Sequence, residues 1–177
     1  MMSLTPDQAS FILQTVGVTA LVAEHPTTKA VIAAIPAERA SYRPDPTSRS
    51  AFEIAWHIVS AEIKYLESAA SGVFPFEMRP VPDSVSTPAD IVTWYADRFD
   101  PAIQRLKATS GEDLLRLVDF YGIRKFPALG LIQIITNHSI HHRGQLSTYL
   151  RPMGAKVPSI YGESYDAREA REQAGRS

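Results

Sequence analysis

Proline placement limits what this chain can fold into more than any other feature. It divides the 177 residues into stretches that can be helical and stretches that cannot. The segment IPAERASYRPDPTSRS carries Pro36, Pro44 and Pro46, and VFPFEMRPVPDSVSTP carries Pro75, Pro80, Pro82 and Pro88. A proline ring removes a backbone donor and clashes with the preceding turn, so neither segment is one continuous helix. Both read as long connections.

Four helical blocks remain. The first follows Thr5-Pro6-Asp7, runs from about Ala9 to Glu24, and is closed by His25-Pro26. The second runs from about Ser50 to Ser71 and ends at Gly72. The third starts at Thr87-Pro88-Ala89-Asp90, where Thr caps, Pro takes the first helical position and an acid lies in the first turn. It continues to about Ala108 and is broken by Ser110-Gly111-Glu112-Asp113. The fourth runs from about Pro127 to Arg151 and stops at Pro152 and Gly154. Before it, LLRLVDFYGIRK is ambiguous, its β-branched and aromatic residues permitting a short extended segment. The expected fold is all-α, a four-helix bundle in which two connections are long enough to cross the bundle. Residues 1–166 read as one domain and 167–177 as a charged tail, a solvated helix.

Composition excludes several functions. There are no cysteines, which rules out disulfides, thiolate nucleophiles, iron–sulfur clusters and Cys-containing zinc sites. A metal would have to be held by imidazole and oxygen, which leaves Zn, Ni, Fe, Co, Mn or Cu. A net charge of −1 offers no basic field for a phosphate backbone, so no nucleic-acid partner is expected. FILQTVGVTALVA is too short to span a bilayer, and no Lys or Arg lies within Met1 to Ser10 to start a signal peptide. The expectation is a cytoplasmic protein with no membrane partner.

Three of the five histidines fall within NHSIHHRGQLSTYLR, at 138, 141 and 142. On a helical wheel His138 and His142 share the face that carries Leu131, Ile134, Ile135, Gln145, Leu146 and Tyr149. That stripe should pack inward, and residues four apart lie close enough for both rings to grip one ion. His141 falls at the edge of the stripe, Gln145 faces inward, and Arg143 faces away. Two inward imidazoles bring four ring nitrogens to a place poor in partners, so metal ligation and a hydrogen-bonded core pair are both open at this point.

A third candidate is His57, in FEIAWHIVSAEIKYL on the second helix. Ile54 and Ala61 flank it, but so do Glu53, Ser60 and Lys64. By itself this mixed arc describes a boundary imidazole, and it is also what a site open to water on one side would show. Glu53, one turn earlier, is a candidate base. His25 would complement the dipole at the end of the first helix.

A His in the second helix followed some eighty residues later by N-H-S-I-H-H-R-G-Q-L resembles the DinB/YfiT-like superfamily of metalloenzymes. YRPDPTSRSAFEIAWHI and YLRPMGAKVPSIYGES are similar to it as well, so the likeness covers roughly residues 8 to 166. It implies a four-helix bundle with long crossovers, often homodimeric. It also implies one divalent ion, commonly nickel or zinc with Fe or Mn as alternatives, held by His57, His138 and His142. Gln145 and His141 would lie behind these ligands or touch substrate. The resemblance does not supply a reaction. Relatives include transferases and isomerases that use low-molecular-weight thiols, and a chain lacking cysteine is compatible with a thiol arriving as cosubstrate. Three readings stay open: a metal-dependent, thiol-using transferase acting on a small electrophile, a metal-dependent hydrolase, and a non-catalytic, stress-related metal or ligand binder.

Overall fold

The computed structural model describes residues 4–176. Thr5 caps α1, Pro6–Ile12, its hydroxyl accepting the Gln8 N–H while Gln8 Oε1 accepts the Thr5 N–H. A π-helical segment, Leu13–Gly17, joins α1 to α2, Val18–Ala33, without a break. A 3-10 turn at Ala37–Arg39 follows. Next come α3, Ala51–Ser71, and α4, Pro88–Lys107. A short α5, Gly111–Leu115, precedes the antiparallel hairpin of β1, Leu117–Phe120, and β2, Arg124–Pro127. Then α6, Ala128–Leu150, completes the bundle, and α7, Tyr165–Ala174, has no buried residue.

Local chemistry sets these limits. Ser50 and Thr87 each accept an N–H from the residue three on, and Glu53 and Asp90 return the bond to the capping residue. Gly72 closes α3 at φ 77, a left-handed conformation that glycine adopts without steric penalty.

Two boundaries differ from the sequence reading. His25-Pro26 does not close the first helix, which continues to Ala33. Pro26 lies on the exposed face, and so does Val22, whose carbonyl Pro26 cannot bond, so water can satisfy it. Ser110-Gly111-Glu112-Asp113 starts a new helix as well as ending the old one, because Ser110 caps α5 by accepting the Asp113 N–H. Gly111 packs so tightly on α1 that a Cβ there would overlap the Pro6 carbonyl.

The packing partners of each helix define the topology. α3 lies against α6 and α4, and α2 lies against the same two. α2 and α3 therefore sit on one diagonal, and α4 and α6 on the other. The connections from α2 to α3 and from α4 to α6 must cross the bundle. A four-helix bundle with two long crossovers is therefore as expected, but only one of the proline-rich connections crosses: the segment between α3 and α4 joins packed neighbours, and the second crossing runs through α5 and the β1–β2 hairpin. Among the described residues no helix is long and apolar enough to cross a membrane.

His25 lies inside α2 and does not cap its end. It stacks on Phe99 at 3.8 Å between ring centroids, 17° from parallel, with Tyr95 at 4.4 Å. Burial lowers its pKa to about 4; the Lys29 charge adds to the shift and Asp100 opposes it. An unfolded chain takes up this proton near pH 6.5, whereas the folded chain refuses it until about pH 4. Stability is therefore full above pH 6.5 and is lost as pH falls toward 4. His25→Phe keeps the stacking and removes this proton. The loss in unfolding free energy between pH 7 and pH 5, measured by urea titration, should shrink by about 1 kcal/mol in the variant, allowing for partial exposure.

Candidate metal centre

The rotation of α6 decides which of its residues meet α3. Two polar residues on its most buried stripe, Ser139 and Arg143, fix that rotation. Ser139 donates to Glu62 Oε2 of α3 at 2.6 Å, and Tyr95 of α4 donates to Oε1 of the same carboxylate at 2.5 Å. Glu62 is fully buried, and burial raises its pKa against the effect of these two bonds. One turn on, Arg143 is 1% exposed, not outward-facing as the wheel placed it. It pairs with Glu24 of α2 at 2.5 Å, donates to Thr28 Oγ1 at 3.2 Å, and donates to Tyr161 of the final loop at 2.7 Å. A wheel centred on His138, which lies at the edge of the buried stripe, points position 143 outward; centred on the buried Leu131, Ile132, Ile135 and Leu150 it would not. Ser139 and Arg143 are one turn apart, and that spacing was the available signal.

With 139 and 143 at the centre, 138 and 142 fall beside it, half-buried and facing α3. His57 comes from the middle of α3 to meet them. Its Nε2 lies 3.0 Å from His138 Nε2, and its ring centroid is 4.7 Å from that of His142. One ring nitrogen of each of the three lies within 4.8 Å of the others. His141 is exposed and touches only the edge of the group, its ring 4.8 Å from His142. The surroundings of His57 are less mixed than the sequence suggested, since Ser60 and Lys64 are both buried.

Two facing Nε2 atoms at 3.0 Å can coexist in two ways. Either one carries a proton and donates to the other, or both are bare around a shared cation. Burial lowers the pKa of His57 to about 4 and of His138 to about 3, with help from Arg49 and from the neighbouring imidazoles; His142 is lowered as well. All three rings are thus neutral near pH 7, the form a metal requires. At His142, Nδ1 lies 3.0 Å from Gln145 Oε1, and the Gln145 amide nitrogen donates to Tyr149. An amide oxygen only accepts, so His142 Nδ1 carries the hydrogen and Nε2 keeps its lone pair. His138 Nδ1, by contrast, is buried with no hydrogen-bond partner. The donor set is one that a divalent ion of the zinc or nickel type fits.

Glu53 lines the cavity beside His57, but both of its oxygens are engaged. Oε1 accepts from Arg43 at 2.8 Å and Oε2 accepts the Ser50 N–H at 2.8 Å. The Arg43 hydrogen bond, and after it the Ser50 N–H, holds its pKa below the ordinary value. It serves as the cap of α3, and a weakened proton acceptor makes a poor base.

The sequence profile of the DinB family matches residues 18–174. Among curated proteins, the chain is 35% identical over 112 residues to the uncharacterized protein YrdA of Bacillus subtilis, covering 62% of this chain and 64% of YrdA, a little under two thirds of it. It is 28% identical over 116 residues to the uncharacterized protein YjoA of the same organism, covering 64% of this chain and 73% of YjoA. The crystal structure of YjoA, a DinB-like protein, superposes with a TM-score of 0.67 at 26% identity, over 81% of this chain and 96% of YjoA. That of a DinB-like protein from Bacillus cereus gives 0.69 at 27%, over 82% and 95%.

Proposed function

This chain belongs to the DinB family, and on that premise we propose that it is a metal-dependent enzyme whose His57, His138 and His142 hold one divalent cation, nickel or zinc, to activate a thiol or water for attack on a small electrophile. The observation that carries this reading is the meeting of three neutral imidazoles from two helices, two of them nitrogen to nitrogen at 3.0 Å. When bound, such an ion lowers the pKa of a coordinated thiol or water and stabilises the anion that forms. His57 and His138 would present Nε2, and His142 would do so because Gln145 holds its Nδ1 hydrogen. The buried Glu62 and Arg143 networks keep the two α6 rings turned toward α3.

A thiol cosubstrate is favoured over hydrolysis with Glu53 as base, because that carboxylate is committed to Arg43 and Ser50. The test is turnover of a reactive electrophile by zinc- or nickel-loaded protein, with and without an added low-molecular-weight thiol. Thiol-dependent turnover that chelation abolishes is the expected result. Equal turnover without thiol would establish hydrolysis instead. Undiminished turnover after complete chelation would overturn the metal dependence.

A further inference from the structure

Next to His57 lies a cavity of about 400 Å³. The start of α3 and the connection between α3 and α4 enclose it. Phe52, Trp56, Met78 and Val81 supply its apolar wall. The Trp56 indole donates to the Arg79 carbonyl at 3.1 Å, which ties that connection to the helix. Three charged side chains also line the cavity, and two of them are neutralised: Glu53 by Arg43 at 2.8 Å, and Arg79 by Glu67 at 2.7 Å.

Arg49 is the third. It forms no hydrogen bond or ion pair among the described residues, yet it lies near enough to act electrostatically on His57, His138 and His142 together. Ser60, one turn along α3 from His57, lines the same cavity. Its hydroxyl is buried and has no hydrogen-bond partner, not even the backbone carbonyl one turn back that a serine in a helix commonly takes. Leaving a buried hydroxyl unsatisfied costs about 1–3 kcal/mol, so a group that supplies the missing bond is strongly favoured.

We propose that this cavity binds a small organic monoanion, a carboxylate on an apolar body, with the carboxylate on Arg49, the body against Phe52 and Trp56, and a polar atom of the ligand on Ser60. One uncompensated positive charge matches one carboxylate. A dianionic phosphate ordinarily gathers several cations and backbone donors, which this cavity lacks. The volume suits a molecule of about eight to twenty heavy atoms. The proposal deepens the function argued above by giving the substrate class of the same site. The binding itself rests on side chains of α3 and its flanking connections and does not require the ion.

The experiment follows the indole N–H resonances of Trp56 and Trp94, the only two tryptophans, during titration with benzoate and hexanoate and with their neutral amides, at fixed ionic strength. Saturable shifts of the Trp56 signal are expected, with each acid binding at least tenfold more tightly than its amide. Arg49→Gln should erase that difference. The same titration on His138→Ala separates the two readings. If the acid preference persists there, the carboxylate site stands whatever becomes of the metal. Equal binding of acid and amide by the wild type would overturn the proposal, as would an unaltered preference in Arg49→Gln. Inorganic phosphate shifting Trp56 at lower concentration than either acid would overturn the monoanion assignment.

Discussion

Protein purified from zinc- or nickel-supplemented medium will carry about one divalent ion per chain, and His138→Ala or His142→Ala will carry close to none. Each of these imidazoles is half-buried, neutral near pH 7 and aimed at the same small volume as His57. Loss of one ring leaves two nitrogen donors, too few to retain the ion through purification. Gln145→Ala should weaken binding less, by about 10–100-fold, because it frees the His142 ring without removing it. His141→Ala should retain the ion, since that ring is exposed at the rim. Elemental analysis with circular dichroism as a folding control decides the matter. Full occupancy in both α6 variants would refute the assignment, and loss in His141→Ala equal to that in His142→Ala would mean the wrong neighbour was chosen. Wild-type protein should also gain thermal stability when loaded, by about 4 kcal/mol at a free-ion concentration a thousandfold above Kd.

Arg143→Ala will be among the most destabilising single changes, lowering the unfolding free energy by about 3–5 kcal/mol. The substitution leaves the Glu24 carboxylate, the Thr28 hydroxyl and the Tyr161 hydroxyl without the guanidinium that joins them. Breaking one half of a buried pair is far worse than removing both halves. The double variant Glu24→Leu with Arg143→Met should therefore recover more than half of the loss in a urea titration. No recovery would mean that the arginine contributes through packing alone. Because Tyr161 belongs to the connection before α7, Arg143→Ala should also speed proteolytic cleavage between residues 151 and 164.

The division into helices was legible because it depends on local chemistry. Three prolines spaced as closely as Pro36, Pro44 and Pro46 leave no room for one long helix, and Thr87-Pro88 starts α4 by capping its own first turn. Pro26 was misread because a proline's effect depends on where the freed carbonyl points. On an exposed face water takes that carbonyl, and the helix continues. The pairing of His138 with His142 was likewise legible, being a matter of helical period alone. Membership of His57 in the same group was not, because its local arc is that of a boundary residue, and the resemblance to the DinB/YfiT-like superfamily supplied it.

The sequence by itself determined the four helices, their order and the two imidazoles one turn apart on α6. Those follow from backbone sterics and from the 3.6-residue period, which act over a few residues. Only the tertiary structure decided that Arg143 is interior and that Arg49 and Ser60 face one cavity beside His57. Each of those outcomes depends on which charge or hydroxyl arrives from a distant segment. Such long-range pairing leaves no periodic trace in the chain.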